Sequence, residues 1–492
     1  MDSFKENCGV VAVVSFKGEN VVPYVYWGLV ALNHRGQQSY GILSYSGDFK
    51  IHKGLGLISY MSIEELSALS KELTGSTSIG HVRYATSGKL YKSQLLVDAQ
   101  PHLIMNDRIK LAVAYNGNLV NISALRRKLS SKGVNFTGTS DAEVLAYEIL
   151  EAYEASGDIV EGVKRVMEEV DGAYSVVGMM EGGKIFAFRD PKGIRPLALG
   201  YNDSVLMIAS ESVALDINRI PFTSFVNPGE LVVADKSGIS RYRLVDSSSE
   251  QLCAFEYAYF SRPDSKLLGE KYVYQVRREL GRKLANRYSD VVSRIDVVVP
   301  VPQTAVDAAY GFHEASGKPI EPAIIRNRYI SQRAFIMASS DRELIISRKY
   351  NMLLDRVRGL RVALIDDSIV RGDTLRHIVE SLRRAGAKEV HVFSTFPKII
   401  SPCFYGIDMA TFHELIGFNR SEDEIASLLG ADTVNYQTIE DFCCAVGSRD
   451  LCLGCVTMKY PTPHAQRIAE KGYLEVSKGR VFYGRLIESM GG

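Results

Sequence analysis

The stretch Arg361-Val362-Ala363-Leu364-Ile365-Asp366-Asp367-Ser368-Ile369-Val370-Arg371-Gly372-Asp373-Thr374 decides the fold of the second half of the chain. Its apolar, β-branched start predicts a strand buried on both faces of a parallel sheet. This strand would deliver Asp366 and Asp367 to its carboxyl end, where open α/β sheets bind ligands. Backbone N–H groups at the following helix start suit a phosphate, and paired acids suit ribose hydroxyls and a hydrated Mg²⁺. For the Asp-Asp pair taken alone, a simple turn cap is the alternative.

Regular alternation around this stretch predicts βαβ units. The predicted elements are a helix over Lys271–Arg287, a strand over Ile295–Val301, a strand over Val362–Ile365, a helix over Thr374–Ala385 and a strand over Val390–Thr395.

The first half of the chain follows a different pattern, with short strands that do not alternate regularly with helices. This pattern predicts layered α+β structure or stacked sheets. The predicted elements are strands over Gly9–Phe16, Ile79–Tyr84, Leu111–Tyr115, Tyr174–Met180 and Lys184–Arg189, and helices over Ile63–Leu73 and Asp141–Ala155, the latter with capping chemistry in Thr139-Ser140-Asp141.

Composition excludes several classes of protein. Of the 492 residues, 46% are hydrophobic and 23% charged, which excludes a disordered chain and predicts two or three domains. Because 58 Lys and Arg nearly balance 57 Asp and Glu, a general nucleic-acid binder is not expected. Seven thinly spread cysteines, a polar N-terminus and the lack of a long apolar run predict a soluble, cytoplasmic protein with no secretory signal and no membrane span.

The whole string from Asp366 to Thr374 resembles the signature of phosphoribosyltransferases that bind phosphoribosyl pyrophosphate (PRPP). Its Asp-Asp-Ser-Ile-Val-Arg-Gly form resembles the amidophosphoribosyltransferases. The resemblance implies that PRPP is bound by Asp366, Asp367, Ser368, Arg371, Gly372 and Thr374.

Two further segments resemble parts of the same family. Thr304, in the turn Pro300–Ala305, matches a hydroxyl beside the metal, so one Mg²⁺ is expected on Thr304, Asp366 and Asp367. The basic segment 326–349 resembles a mobile loop whose Arg348 and Lys349 would bind PRPP. A solvated basic loop is the alternative for that segment.

Two positions depart from the family's pattern. Asp373 replaces the first Thr of Arg-Gly-Thr-Thr, whose hydroxyls help to bind the 5′-phosphate, and Ala305 also replaces a hydroxyl-bearing residue. We expect Asp373 to turn away from the phosphate and to pair with a neighbour such as Arg376.

The first half of the chain contains a cysteine, Cys8, directly before a predicted strand. Alone it would indicate a small buried hydrophobe. Three polar strings follow it, His34-Arg35-Gly36-Gln37, His81-Val82-Arg83-Tyr84-Ala85-Thr86 and Tyr115-Asn116-Gly117-Asn118, with Ser140-Asp141 downstream. In this order they resemble the glutaminase domain of N-terminal-nucleophile (Ntn) amidotransferases.

This second resemblance implies a glutaminase site. Removal of residues 1–7 as a propeptide would give Cys8 a free α-amine, whose pKa of about 8 suits a general base. The implied oxyanion donors are Asn116 and Gly117, and the implied glutamine-binding residues are Arg83, Thr86 and Asp141. His34 and His81 are expected to be structural.

Cys452 and Cys455 form a C-x-x-C pair, which alone could indicate zinc, iron–sulfur, redox chemistry or no function. One branch of the amidophosphoribosyltransferases carries a [4Fe–4S] cluster and a short propeptide. Resemblance to that branch implies that the ligands are Cys253, Cys403, Cys452 and Cys455, with a structural Zn²⁺ as the alternative. Cys443 and Cys444 are expected in the core.

Together the motifs predict a two-domain enzyme. The resemblance implies an Ntn-hydrolase αββα sandwich over residues 8–245, a parallel-sheet type I phosphoribosyltransferase domain over 253–465 and a C-terminal extension over 466–492. The implied reaction converts PRPP, glutamine and water to 5-phosphoribosylamine, glutamate and pyrophosphate, the first step of purine synthesis. A homotetramer and feedback inhibition by purine nucleotides are also implied.

Two alternatives remain open at this stage. One is another amidotransferase with the same glutaminase half, although asparagine and glucosamine-6-phosphate synthetases lack the Asp-Asp loop. The other is a catalytically weakened paralogue that binds PRPP or nucleotides as a regulator.

Overall fold

The computed structural model describes residues 8–84, 92–247, 250–269, 271–327, 350–407, 409, 411–480 and 482. The segment 1–7 and the residues Thr86, Arg348 and Lys349 lie outside this range. Within it, no helix is both long and apolar enough to cross a membrane.

Thirteen strands of the first half form two antiparallel sheets. They are β1 (Gly9–Ser15), β2 (Ser39–Tyr45), β3 (Phe49–Leu55), β4 (Thr77–Arg83), β5 (His102–Met105), β6 (Lys110–Leu119), β7 (Gly172–Met180), β8 (Ile185–Arg189), β9 (Ala198–Tyr201), β10 (Val205–Ala209), β11 (Phe222–Phe225), β12 (Glu230–Asp235) and β13 (Gly238–Arg243). The first sheet has the order β11-β9-β10-β1-β4-β2-β3, and the second has the order β13-β12-β8-β7-β6-β5.

Seven helices accompany these sheets. They are α1 (Val22–Ala31), α2 (Ile63–Glu72), α3 (Lys92–Val97), α4 (Ile122–Ser131), α5 (Asp141–Ser156), α6 (Ile159–Glu169) and α7 (Val213–Ile217), with a 3-10 turn over Ile58–Tyr60.

The two sheets pack face to face through small and branched side chains such as Val10, Ala114 and Val177. On the outer face of the first sheet lie α1, α2 and α7, and on that of the second lie α4, α5 and α6. The result is the expected αββα sandwich, in which each sheet buries both of its faces.

The second half contains eight strands and eight helices among the described residues. The strands are β14 (Leu252–Cys253), β15 (Val297–Pro300), β16 (Ile324–Arg326), β17 (Tyr350–Met352), β18 (Arg361–Asp366), β19 (Glu389–Ser394), β20 (Thr433–Tyr436) and β21 (Leu451–Cys452). The helices are α8 (Val273–Arg287), α9 (Ser289–Val292), α10 (Val306–Ser316), α11 (Asp373–Arg384), α12 (Glu422–Leu429), α13 (Ile439–Val446), α14 (Gly454–Thr457) and α15 (Pro463–Ser477), with a π-helix over Glu256–Phe260 and a 3-10 turn over Leu354–Arg356.

A parallel sheet of order β15-β18-β19-β20 forms the centre of this half. Its strands alternate their side chains between two apolar layers, one with α8 and α10 and the other with α11 and α12. The predicted βαβ units are therefore present, because β-branched residues on both faces of β18 require cover on both sides. Asp366 closes β18 at its carboxyl end, as the sequence predicted.

Three local features differ from the predictions. Strand β6 continues four residues beyond Tyr115, so Asn116 and Gly117 lie inside a strand that pairs with β7. Ser140 precedes α5 but makes no side-chain cap bond, and its hydroxyl lies 3.3 Å from His102 Nε2 instead. Cys444 is exposed, so its placement in the core was wrong, whereas Cys443 is buried.

The two halves are joined by direct contacts. Asn118 Nδ2, in the first half, donates a 2.9 Å hydrogen bond to the carbonyl of Phe404. Near the junction β14 pairs in parallel with β21, which places Cys253 opposite Cys452. Helix α15 runs from Pro463 to Ser477 across the predicted start of the C-terminal extension.

Candidate active sites

The Cys8 thiol lies at the start of β1 and is buried, with 5% of the residue exposed. Its Sγ lies 3.4 Å from the carbonyl oxygen of Tyr84, to which it donates. Burial raises the pKa of the Cys8 thiol to about 11, so the resting side chain is a neutral thiol that needs a base.

Charged groups that could hold an amino acid surround this thiol. The charges of Arg83 and Asp141 both act on Cys8, lowering and raising its pKa respectively. The position of Arg83 is set by the pairing of β1 with β4, in which Gly9 lies opposite Val82. Arg83 is the next residue of β4 and Cys8 is the residue before Gly9, so this register brings the two together. Its guanidinium lies 3.6 Å from the Asp98 carboxylate, so Arg83 is held in place by a buried ion pair.

The predicted oxyanion donors lie on β6. The Asn116 side chain is fully buried, and neither its oxygen nor its nitrogen has a hydrogen-bond partner within the described part of the chain. A Cβ at Gly117 would overlap the carbonyl oxygen of Ala173 on β7, so only glycine fits there. A buried amide without a hydrogen-bond partner costs free energy. A bound ligand that accepts a hydrogen bond from Asn116 would remove this cost, as expected for an oxyanion donor.

Both histidines named in the motifs make structural hydrogen bonds. His81 Nε2 lies 3.2 Å from the Tyr115 carbonyl and so joins the two sheets. His34 Nε2 lies 2.7 Å from a carboxylate oxygen of Glu211.

The second site is centred on Asp366 and Asp367, each only 7% exposed. Asp367 accepts hydrogen bonds from the Thr304 hydroxyl and, at 2.7 Å, from the Ser368 hydroxyl. Burial and the neighbouring Asp367 charge raise the pKa of Asp366 well above its usual range. Two buried carboxylates with added hydroxyl oxygens form a donor set that suits Mg²⁺, since a divalent cation would relieve their repulsion.

The acidic pair faces a cavity of about 490 Å³. Its wall includes every described residue predicted to bind PRPP, and it also includes His34 and Gln37 from the first half of the chain. The predicted residues in this wall are Thr304, Asp366, Asp367, Ser368, Arg371, Gly372 and Thr374.

The loop between β18 and α11 has the geometry of a phosphate site. Gly372 precedes the helix with φ of +87°, a left-handed conformation that favours glycine. The first turn of a helix has N–H groups without intrahelical acceptors, and Gly372 and Thr374 at the start of α11 line the cavity, so this turn is a candidate phosphate site. Asp373 Oδ1 lies 3.9 Å from Arg376 Nη2, the neighbour named in the sequence analysis, and Asp373 also lines the cavity, so its orientation away from a phosphate stays a prediction.

The four cysteines expected to bind iron belong to one apolar cluster at the junction, which includes Cys253, Cys403 and Cys452, with Cys455 packed against it. The Cys455 carbonyl accepts hydrogen bonds from the N–H groups of Ile400 and Ser401 at 2.9 and 3.0 Å. Burial, followed by the effects of the other three thiols, raises the pKa of Cys455 well above its usual range. Within the described residues, however, no group of three or more His, Cys, Asp or Glu side chains is arranged to hold a metal ion.

Some residues of these sites were not singled out from the sequence. Arg277 is buried in the cavity wall and donates from Nε to the Tyr257 carbonyl at 2.8 Å. Its signal was available, because it occupies the apolar face of α8 together with Val273 and Leu280. Glu256, which pairs with Arg35, gave no local signal.

Comparisons with known proteins agree with both halves of this description. A family described as "Glutamine amidotransferase domain" matches residues 89–216. Amidophosphoribosyltransferase of Methanocaldococcus jannaschii is 39% identical over 471 residues, which cover 92% of this chain and 98% of that protein. The enzyme of the same name from Bacillus subtilis is 39% identical over 468 residues, covering 93% and 94%.

Solved structures extend the comparison to the fold. The glutamine PRPP amidotransferase from B. subtilis, complexed with ADP and GMP, aligns with a TM-score of 0.83 at 38% identity and covers 93% of this chain and 98% of that one. A structure described as the allosteric regulatory enzyme of purine biosynthesis aligns with a TM-score of 0.82 at 38% identity, covering 92% and 96%. On this identity and coverage, the chain belongs to the amidophosphoribosyltransferase family.

Proposed function

We propose that the protein converts PRPP, glutamine and water to 5-phosphoribosylamine, glutamate and pyrophosphate, as the first step of purine nucleotide synthesis. The observation that carries the proposal is the cavity that the Asp366–Asp367 loop lines together with residues of the glutaminase half. The enzymatic name shared by its relatives favours catalysis over a regulator that only binds PRPP.

Glutamine hydrolysis is assigned to the first half of the chain. With residues 1–7 removed, the Cys8 α-amine takes the thiol proton, and the sulfur attacks the glutamine carboxamide carbon. Asn116 Nδ2 and the Gly117 N–H then stabilise the oxyanion. The C–N bond breaks as the nitrogen gains a proton, ammonia leaves, and water hydrolyses the thioester to glutamate.

Substrate recognition in this half rests on opposite charges. Arg83 would bind the α-carboxylate of glutamine and Asp141 its α-ammonium group. Thr86 is assigned to the same site by resemblance alone, since it lies outside the described residues.

Ammonia then displaces pyrophosphate from the anomeric carbon of PRPP. Asp366 and Asp367 would hold the ribose hydroxyls and stabilise positive charge on the sugar. Ser368, Gly372 and Thr374 would hold the 5′-phosphate at the start of α11. Arg371 would add charge on the same side, and Arg348 and Lys349 remain predictions from the resemblance.

Mg²⁺ would be held by Thr304, Asp366 and Asp367, whose oxygen atoms meet in the cavity wall. When bound, it would neutralise charge on the leaving pyrophosphate.

The four cysteines would hold a [4Fe–4S] cluster. Their membership of one apolar cluster at the junction supports this ligand set, because four cysteine thiolates are the usual ligands of such an iron–sulfur cluster. Its role would be structural, since it would join β14 to β21.

Other properties stay predictions from the resemblance. They are the domain limits 8–245 and 253–465, the propeptide, the homotetramer, inhibition by purine nucleotides and a cytoplasmic location.

The test is an assay of purified protein for PRPP-dependent release of glutamate and pyrophosphate. Cys8→Ala should abolish glutamine use but retain synthesis from ammonium salts, whereas Asp366→Ala should abolish both. N-terminal sequencing of active protein should find Cys8 first. Binding of PRPP without any pyrophosphate release would instead support the regulator, and full activity from a chain that retains Met1 would contradict the amine mechanism.

A further inference from the structure

Four charged side chains are buried together where the two halves of the chain meet. Arg35, Arg195, Glu211 and Glu256 are all 0% exposed. Arg35 donates to both carboxylates, to Glu211 at 2.5 Å and to the two oxygens of Glu256 at 2.7 and 3.0 Å. Arg195 donates to Glu256 at 3.2 Å.

One end of this network holds the nucleophilic residue. Arg35 Nε donates a 3.0 Å hydrogen bond to the carbonyl oxygen of Cys8. With its terminal nitrogens fixed by the two glutamates, the guanidinium plane has a single orientation, and that orientation places the Cys8 backbone.

The other end of the network is the wall of the cavity. Glu256 opens the π-helix Glu256–Phe260, and Tyr259, Phe260 and Ser261 line the cavity beside the Asp366–Asp367 loop. The Ser261 hydroxyl donates a 2.7 Å hydrogen bond to the Glu256 carboxylate. Glu256 is therefore linked to the cavity wall both through the backbone of the π-helix and through this hydrogen bond. π-Helical turns often occur at functional sites.

Stability alone does not account for such an arrangement. Burying ion pairs removes charges from water, and well-packed apolar residues often stabilise a protein as well or better. The network does, however, connect the nucleophile of one half to the substrate cavity of the other through two side chains.

We propose that Glu256 is a positioning residue for glutamine hydrolysis, and that it acts through Arg35 on the backbone of Cys8. The inference rests on the proposed function. It implies that the second half of the chain supplies a part of the glutaminase site that touches no substrate.

The test compares two activities of the same variant. Glu256→Gln keeps the size of the side chain but removes its charge, so that Arg35 loses its bidentate partner. We expect glutamine-dependent turnover to fall about tenfold or more, because small displacements of a reacting group are costly. The Michaelis constant for glutamine should change less than about threefold, since Arg83 and Asp141 remain, and ammonia-dependent synthesis should stay within about threefold.

A matched control is available in Glu230→Gln. Glu230 is 6% exposed and forms a bidentate pair with Arg241, at 2.6 and 2.9 Å. The Arg241 side chain is 35% exposed, and neither residue is among those that line the cavity. This control should leave the ratio of the two activities unchanged. If Glu256→Gln does not fold, Arg35→Lys, which keeps the charge and loses the bidentate geometry, should show the same selective loss.

Several outcomes would overturn the inference. The first is a ratio of glutamine-dependent to ammonia-dependent activity that stays unchanged in Glu256→Gln or Arg35→Lys, whether both activities fall equally or neither falls. The second is the same change of this ratio in Glu230→Gln. Failure of the proposed function would be seen separately, as wild-type protein that makes no pyrophosphate from either nitrogen source.

Discussion

At the scale of single residues, Asp373 is the main departure from the family pattern. A carboxylate about 4 Å from a phosphate would cost on the order of 4 kcal/mol per unit charge at an effective dielectric constant near 20. The 3.9 Å separation from Arg376 offers Asp373 a partner on its own helix instead. We therefore expect Asp373→Thr to change the Michaelis constant for PRPP by less than about tenfold.

Steady-state kinetics with varied PRPP would test this expectation. Arg376→Ala should behave differently, because it leaves the Asp373 charge without that neighbour, and should weaken PRPP binding more. An improvement of about a hundredfold in Asp373→Thr would show that the carboxylate faces the phosphate in the wild type.

His81 gives a second prediction at this scale. Burial lowers the pKa of His81 to about 3, whereas the pKa of a histidine in an unfolded chain is about 6.5. Since the unfolded chain binds the proton more tightly, the contribution of His81 to stability is full above about pH 6.5 and is lost as the pH falls, by up to about 1.4 kcal/mol per unit.

His81→Gln, whose amide can still donate toward the Tyr115 carbonyl, should remove this dependence. Urea unfolding at pH 7, 6 and 5 should show the difference in free energy of unfolding between wild type and variant shifting in favour of the variant as the pH falls. A difference that stays constant would contradict the buried neutral state of His81.

At the scale of elements, α8 and α10 pack closely through paired glycines. A Cβ at Gly281 would overlap the carbonyl oxygen of Ala308, and one at Gly311 would overlap that of Arg278. Because backbone rather than flexible side chain is the obstacle, the helices must separate to accept a methyl group.

Gly281→Ala should therefore destabilise the second half of the chain by about 1–3 kcal/mol, despite the better helix propensity of alanine. Thermal unfolding would measure the effect. Asn286→Ala, at an exposed position of the same helix, is the control and should stay within about 0.5 kcal/mol. A stabilised Gly281→Ala protein would show that the helices are not in backbone contact.

Helices and strands were more predictable from the sequence than the placement of the polar residues discussed here. The apolar run Val362–Ile365 can bury all of its side chains only in a strand that is covered on both faces. The sequence therefore predicted β18 and the two acids at its end. Asn116 and Gly117 are residues typical of turns, but pairing with β7 keeps them inside β6. The Arg35–Glu256 pair spans 221 residues of sequence, and nothing local to either residue specifies such a partner.

At the scale of the whole molecule, the cysteine cluster lies where strand β21, late in the second half of the chain, pairs with β14 at its beginning. Cys452→Ser should impair folding and iron content, because it would remove one ligand of the proposed cluster, which would join the paired strands β14 and β21. Anaerobically purified wild type should be brown, with about four irons per chain.

Two cysteines outside the ligand set provide controls. Exposed Cys444→Ser should leave solubility and iron unchanged, and buried Cys443→Ser should have only a mild effect on stability. Iron and sulfide analysis beside absorption spectra would measure the outcome. Stoichiometric zinc without iron would overturn the cluster assignment.

The Glu256–Arg35 contact also bears on how such proteins can be recombined. A chimera that joined the first half of this chain to the second half of a relative, with the crossover in the junction around residues 245–252, would take Glu256 and its flanking segment from the relative. All of its glutaminase half would then come from this chain, but the segment that holds Arg35 in place would come from the relative. Recombination that keeps residues 252–262 with the first half would preserve the support. We therefore expect the functional boundary between the two modules to lie later in the chain than the compositional one.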